Sequence, residues 1–217
     1  MNENALTQRE AMVRDQIEAR GLKDLRVLAV MRDIPRERFM TDETRDHAYE
    51  DRALPTQDGQ SVSQPFVVAL MCEAASLEPK DRVLEIGAGS GYSCAILSRL
   101  VHRVWTLERS PRLARFAGSR IAELGLANVT VLRSDGTGGW PPAAPYDAIL
   151  VTGSGLRIPE TLKQQLAIGG RLVMPVGTPE GPQTLMRLTR TEASAFAEEA
   201  LTQVTVEPLI GDFGAQG

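Results

Sequence analysis

The residues best placed to do chemistry are Glu85, Gly87, Gly89, Gly91, Glu108, Asp135 and Gly136, with Ser63 well upstream of them. The stretch Arg82-Val83-Leu84-Glu85-Ile86-Gly87-Ala88-Gly89-Ser90-Gly91-Tyr92 sets a short apolar run ahead of three glycines at every second position. Ala95, Ile96, Leu97, Leu100 and Val101 then recur at near-helical spacing. That order predicts strand, tight glycine turn, helix. Glycine lets the backbone turn sharply and lets a ligand touch the main chain where a Cβ would block it. The helix adds free N–H groups and a positive dipole end. The occupant such a turn suits is nucleotide-like. The bland alternative is a glycine-rich turn in some other doubly wound protein.

Glu108 closes the next apolar run, Arg103-Val104-Trp105-Thr106-Leu107. A carboxylate there accepts hydrogen bonds from both hydroxyls of a ribose; otherwise it is a solvated strand end. Asp135 follows Val129-Thr130-Val131-Leu132 and is placed to accept an adenine amino group, with Gly136 letting the backbone approach the ring. The alternative there is a plain turn closed by the aspartate side chain. Ser63 precedes the helical stripe Phe66, Val67, Ala69, Leu70, Ala74 and Ala75, with Pro65 in the first turn. It reads as the helix N-cap, as a substrate contact, or as both.

The glycine spacing narrows the ligand. A dinucleotide fingerprint, G-x-G-x-x-G, needs glycine at position 92, which is Tyr92. That disfavours an NAD-dependent dehydrogenase. The acidic-x-G-x-G-x-G form from Glu85 to Gly91 resembles the first motif of S-adenosylmethionine-dependent methyltransferases.

These residues need a scaffold, and the chain supplies the pattern for one. Thr7-Gln8-Arg9-Glu10 fits a capping box that opens a helix ended by Gly21. Asp24 caps a second helix, and Pro35-Arg36-Glu37-Arg38-Phe39 is a third short turn. Residues 46–65 lack apolar periodicity, and long irregular stretches inside compact domains are often functional. Strands are expected at 103–108, 129–132, 146–151 and 171–176, and Ser110-Pro111 caps a helix closed by Gly125. Pro159 opens another helix to about Leu166, and Gly169-Gly170 makes a turn. Residues 183–189 and 200–206 read as an antiparallel pair, and the tail from Gly211 as mobile. Strands alternating with helices predict a parallel three-layer α/β sheet whose ligand lies at the carboxyl ends of the strands. The 87–91 turn, Glu108, Asp135 and the loop at 152–155 all fall on that edge.

The 217 residues suffice for one such domain plus an extension. The expected division is a helical N-terminal extension with a substrate-side loop over 1–60 and a methyltransferase domain over 61–217, in one compact unit. A net charge of −4 gives no broad nucleic-acid footprint. No apolar run approaches 18 residues, so no membrane span is expected, and the N-terminus carries no signal-peptide pattern. Cys72 and Cys94 lie in apolar patterns and read as buried thiols, and with only two histidines no metal site is expected. The expected location is the cytoplasm and the expected state a monomer.

Beyond these patterns, the chain resembles the protein-L-isoaspartate (D-aspartate) O-methyltransferase family over roughly residues 11–190. Gly59-Gln60-Ser61-Val62-Ser63-Gln64-Pro65 is similar to that family's G-Q-T-I-S-Q-P. Further matches are Met12-Val13, Val30-Met31, Pro35–Phe39, Tyr49-Glu50-Asp51, Val83–Gly87, Ser90-Gly91-Tyr92, Asp135-Gly136, Gly139-Trp140, Ala144–Ile149 and Gly169–Gly177. The resemblance implies a Rossmann-like methyltransferase fold and methyl transfer from S-adenosylmethionine to the free carboxylate of L-isoaspartyl and D-aspartyl residues. The ester closes to a succinimide and starts repair of damaged proteins. It implies Ser63 beside the substrate carboxylate. Gly87, Glu108, Asp135 and Gly136, with Ser61 and Val62 near the methionine end, would contact the cofactor, alongside Glu85, Gly89 and Gly91 of the motif. Thr152, Gly153 and Ser154 would face the substrate. There the chain departs from the pattern: Thr152-Gly153-Ser154-Gly155-Leu156 replaces T-A-A-A-P, and Ser61 replaces a threonine. Same-fold alternatives are an O-methyltransferase for another carboxylate and a non-catalytic S-adenosylmethionine-binding protein.

Overall fold

The computed structural model describes residues 3–214. It opens with α1 (Glu3–Ala11), which widens into a π-turn over Met12–Ile17 and tightens over Glu18–Arg20. Gly21, at φ 97°, closes it in the left-handed region. The helix starts ahead of Thr7, so residues 7–10 are interior and not a capping box; nothing in residues 3–6 breaks a helix. Asp24 does cap α2 (Leu25–Asp33), accepting from the amides of Arg26 and Val27 at 2.9 and 3.3 Å.

The irregular stretch holds a two-residue antiparallel pair, β1 (Leu54–Pro55) with β2 (Ser61–Val62). Then comes α3 (Pro65–Ala74), whose N-cap is Gln64 and not Ser63. Proline forces the residue before it out of the helical region, and Gln64 sits at φ −52°, ψ 134°. No side chain caps α3, which leaves the Ser63 hydroxyl without a capping duty.

From Arg82 the chain alternates. The order is β3 (Arg82–Ile86), α4 (Tyr92–Leu100), β4 (Arg103–Glu108), α5 (Pro111–Glu123), β5 (Val129–Arg133) and β6 (Tyr146–Val151). Then follow α6 (Glu160–Gln164), β7 (Leu166–Val176), β8 (Gln183–Arg190) and β9 (Phe196–Val204). The seven-stranded sheet has the order β5-β4-β3-β6-β7-β8-β9. Pairs from β5 to β7 are parallel, and β7-β8 and β8-β9 are antiparallel. The expected mostly parallel sheet is present. β7 starts five residues earlier than the expected 171, because Gly169 (φ 80°) and Gly170 form an irregularity inside the strand, where pairing with β6 shifts register. β9 likewise starts at Phe196 and ends at Val204.

Strand side chains alternate between faces, and the core divides accordingly. Val83, Ala148, Leu150 and Val173 join one apolar cluster with residues of α1 to α5. Leu84, Ile86, Ile149, Val151 and Leu172 join another with Leu162 of α6. Helices on both faces make three layers. The chain moves outward from β3 through β4 to β5, then crosses back to β6 on the other side of β3. That reversal opens a crevice above the carboxyl ends of β3 and β6.

Candidate active site

A cavity of about 400 Å³ occupies this crevice, within the usual size of a small-molecule site. The glycine turn forms its floor. Gly87 and Ala88 both donate to the Leu107 carbonyl, at 2.9 and 3.1 Å, which ties the turn to the end of β4. Gly87 sits at φ 93°, and a Cβ there would collide with the Thr152 hydroxyl. Thr152 Oγ1 itself donates toward the carbonyls of Ile86 and Gly87, 3.0 and 2.8 Å away. Glycine at 87 is therefore required twice, by its dihedral and by its neighbour.

Glu108 is held from below. Its Oε2 accepts from the Gly89 amide at 2.9 Å and its Oε1 from the Ser110 amide at 2.8 Å. Each oxygen keeps a lone pair for a ligand, and the carboxylate faces the cavity at only 9% exposure. The cavity is also lined by Ser61 and Val62 of β2 and by Ser63, in the link from β2 to α3. Gly136, Thr152 and Gly153 complete the expected set on the wall.

Among the described residues no group of three His, Cys, Asp or Glu side chains is placed to hold a metal ion. What the lining does offer is a carboxylate able to accept from a diol in Glu108, glycine-lined main chain, and the serines Ser61 and Ser63. A nucleoside with a charged tail fits that donor set.

A sequence model of the family "Protein-L-isoaspartate(D-aspartate) O-methyltransferase" matches residues 7–213. The chain belongs to that family. Among curated relatives, Protein-L-isoaspartate O-methyltransferase 1 of Rhodopseudomonas palustris strain HaA2 is 53% identical over 207 residues, covering 95% of this chain and 84% of that one. The corresponding enzyme of Protochlamydia amoebophila is 50% identical over 205 residues, covering 94% and 98%. A solved protein-L-isoaspartate O-methyltransferase superposes with a TM-score of 0.83 at 28% identity, covering 99% of this chain and 67% of that one. A Plasmodium falciparum structure in complex with S-adenosyl-L-homocysteine shares the fold, with a TM-score of 0.81 at 22% identity over 93% of this chain and 98% of that one. The chain is an S-adenosylmethionine-dependent methyltransferase of Rossmann-like fold with a helical N-terminal extension.

Four of the expected site residues do not reach the cavity wall. Glu85 is fully buried beneath the turn, where Thr106 donates to its Oε2 at 2.5 Å; among the described residues no donor lies within bonding distance of its Oε1, the Ser93 hydroxyl being near but further off. Burial pushes its pKa up to about 7, against the pull of the Ser93 and Thr106 hydroxyls. Gly91 (φ 92°) is the N-cap of α4, and a Cβ there would press on Ala117 of α5 at 3.2 Å. It serves helix packing. Asp135 is not among the residues lining the cavity, and its carboxylate is engaged elsewhere: Oδ1 accepts from the Thr137 amide and hydroxyl, and Oδ2 accepts from the Asp212 amide at 2.8 Å. Burial raises its pKa, but these donors outweigh it and hold the group below the usual carboxylate range. Ser154 is 2% exposed and spends its backbone on Glu207 and Leu209. Gly136, next to Asp135, does reach the wall, and a Cβ on it would lie 2.6 Å from Ile86 Cγ2.

The segment 205–210, which the motifs do not mark, forms part of the cavity wall. It returns from β9, and Leu209 donates to the Ser154 carbonyl at 2.8 Å. A Cβ on Gly153 would lie 3.0 Å from the Leu209 backbone, so the glycine in the loop's departure from the family pattern makes room for this segment. Residues 211–214 are not a free tail either, since the Asp212 and Phe213 amides bind Asp135 and Thr137. The apolar run Val206-Glu207-Pro208-Leu209-Ile210 was the available signal: it is too apolar for a solvated end. Residues 215–217 lie outside the described residues.

Proposed function

We propose that this chain methylates the free carboxylate of L-isoaspartyl and D-aspartyl residues in damaged proteins or peptides, with Ser63 holding that carboxylate. The observation that carries the reading is the cavity itself, whose lining includes both Glu108 and Ser63. When bound, S-adenosylmethionine supplies an electrophilic methyl group on its sulfonium.

The chain's own part is positioning. Glu108 accepts from the ribose hydroxyls, and the glycine turn supplies open main chain beside the nucleoside. Ser61 and Val62, which line the cavity with Ser63, take the methionine end of the cofactor in this reading. Ser63 donates to one carboxylate oxygen of the substrate and leaves the other free to attack in line. Orientation of this kind supplies up to about 7–11 kcal/mol of a barrier. A carboxylate is already ionised at neutral pH, so no general base is required. Burial raises the pKa of Cys72 and Cys94, which keeps both as neutral thiols away from nucleophilic chemistry. Thr152 and Gly153 border the place where the substrate enters, with Ser154 acting behind them through its backbone. Asp135 reaches an adenine amino group only if Oδ2 shares its remaining lone pair past the Asp212 amide.

The rest of the reading is a monomer of one compact unit working in the cytoplasm, without nucleic-acid or membrane partners. A net charge of −4 speaks against a broad nucleic-acid surface. Among the described residues no helix is long and apolar enough to cross a membrane. The test is tritiated methyl transfer to an isoaspartyl peptide and to its aspartyl twin, followed by release of the label in mild base. Base-labile transfer to the isoaspartyl peptide alone is expected. Equal transfer to both, or none to either, overturns the assignment.

A further inference from the structure

Arg36 is fully buried, yet among the described residues no carboxylate forms an ion pair with it. Its guanidinium has three contacts instead. Nε donates to the Ala48 carbonyl at 2.8 Å, Nη2 donates to the Ser63 carbonyl at 2.9 Å, and the ring of Tyr92 lies 4.6 Å below the guanidinium carbon. Nη1 has no partner. A buried charge satisfied this incompletely costs stability, and an apolar side chain of similar volume is often as stable or better. Core packing alone gives no reason for an arginine here.

Its contacts give one. Ser63 lies in the link between β2 and α3, where it has neither a strand partner nor a helix hydrogen bond. The Arg36 bond is what fixes its carbonyl. On the other side of the same link, Asp51 accepts from the Gln64 side chain at 2.8 Å and from the Phe66 amide at 3.1 Å. The link is thus gripped on both flanks. Tyr92 lines the cavity and packs edge-on against Phe39, which joins the arginine's stacking surface to the site wall. A planar fork holds two carbonyls and a ring face in one fixed geometry, which the freely rotating donors of an ammonium do not impose.

We infer that Arg36 is a positioning residue for methyl transfer, setting through the Ser63 carbonyl the backbone from which the Ser63 hydroxyl meets the substrate carboxylate. This rests on the reading of Ser63 proposed above. Arg36 touches neither substrate nor cofactor, and its effect passes through residue 63.

The test compares R36M, R36K, S63A and R36M/S63A in the full chain. Thermal melting, the Kd for S-adenosylhomocysteine, and kcat and KM on an isoaspartyl peptide are measured for each. R36M is expected to remain folded, bind S-adenosylhomocysteine within twofold of wild type, and lose roughly tenfold or more in kcat, the size of one hydrogen bond's worth of alignment. R36K should lose a similar factor, because charge without the fork does not restore the geometry. The double variant should be no slower than S63A alone. Full activity in R36M, losses that multiply in the double variant, or failure of both R36M and R36K to fold would each overturn the inference and leave Arg36 a structural residue. If S63A itself keeps full kcat, the Ser63 reading fails first, and that result is distinct from the others.

Discussion

The Gly89 amide donates to Glu108 Oε2 at 2.9 Å, which joins the middle of the glycine turn to the acid at the end of the neighbouring strand. The same carboxylate takes the Ser110 amide at 2.8 Å on its other oxygen. It is fixed before any ligand arrives. Preorganisation of this kind means that little ordering entropy is lost when a diol binds. Glu108→Ala should weaken S-adenosylhomocysteine binding by about 1.5–3 kcal/mol, the scale of hydrogen bonds to a charged group, or roughly 10- to 100-fold in Kd. Calorimetric titration reads this directly. An unchanged Kd would remove Glu108 from the cofactor site.

The Gly87 and Thr152 pair makes a separable prediction. Gly87→Ala imposes a left-handed dihedral on a residue with a Cβ and drives that Cβ into Thr152 Oγ1. The dihedral alone costs about 1–3 kcal/mol, and the collision adds to it. Thr152→Ala in the same chain should return the collision part and leave the dihedral part. Urea melts of both single variants and the double variant give the coupling energy. Strict additivity would show that the two residues do not meet.

Much of this was legible because it is local. The turn from Val83 to Gly91 announces its strand, its reversal and its helix within one stretch, and Glu108 follows at the next strand end. The layered sheet follows from apolar runs separated by helical patterns. What sequence could not place is non-local. Asp135 looks like a free strand-edge acid until the Asp212 amide, 77 residues away, is seen on its Oδ2. Gly153 looks like a loosened loop until Leu209 is seen against it. Ser63 looked like a helix cap because Pro65 marks the helix start correctly, but proline's effect on the residue before it moves the cap to Gln64.

Ser63 then carries its own prediction. With no cap to supply, its removal should leave α3 and the nucleoside wall intact. Ser63→Ala is expected to lower kcat on isoaspartyl peptide by roughly 10- to 100-fold, as for a hydrogen bond to a charged group. The melting temperature should stay within a few degrees, and S-adenosylhomocysteine affinity within about twofold. Parallel loss of cofactor affinity and rate would assign Ser63 to the cofactor instead of to the substrate carboxylate.

Glu85 makes stability depend on pH in the direction opposite to a salt-bridged carboxylate. Its folded pKa is raised to about 7 from 4.5, first by burial and with a smaller push from Glu108. A raised carboxylate favours folding most where it is protonated in both states, below pH 4.5. That contribution is lost as pH climbs through about 7, because the unfolded chain ionises freely and the folded one does not. The full span corresponds to roughly 3 kcal/mol. Glu85→Gln removes the ionisation and keeps an oxygen for Thr106. Its stability relative to wild type should therefore rise between pH 5 and pH 8 by up to that amount. Urea denaturation of the two proteins at both pH values measures the change. A difference that stays constant across this range would mean that the Glu85 carboxyl titrates as it does in water, and that the space beneath the glycine turn is wetter than its zero exposure indicates.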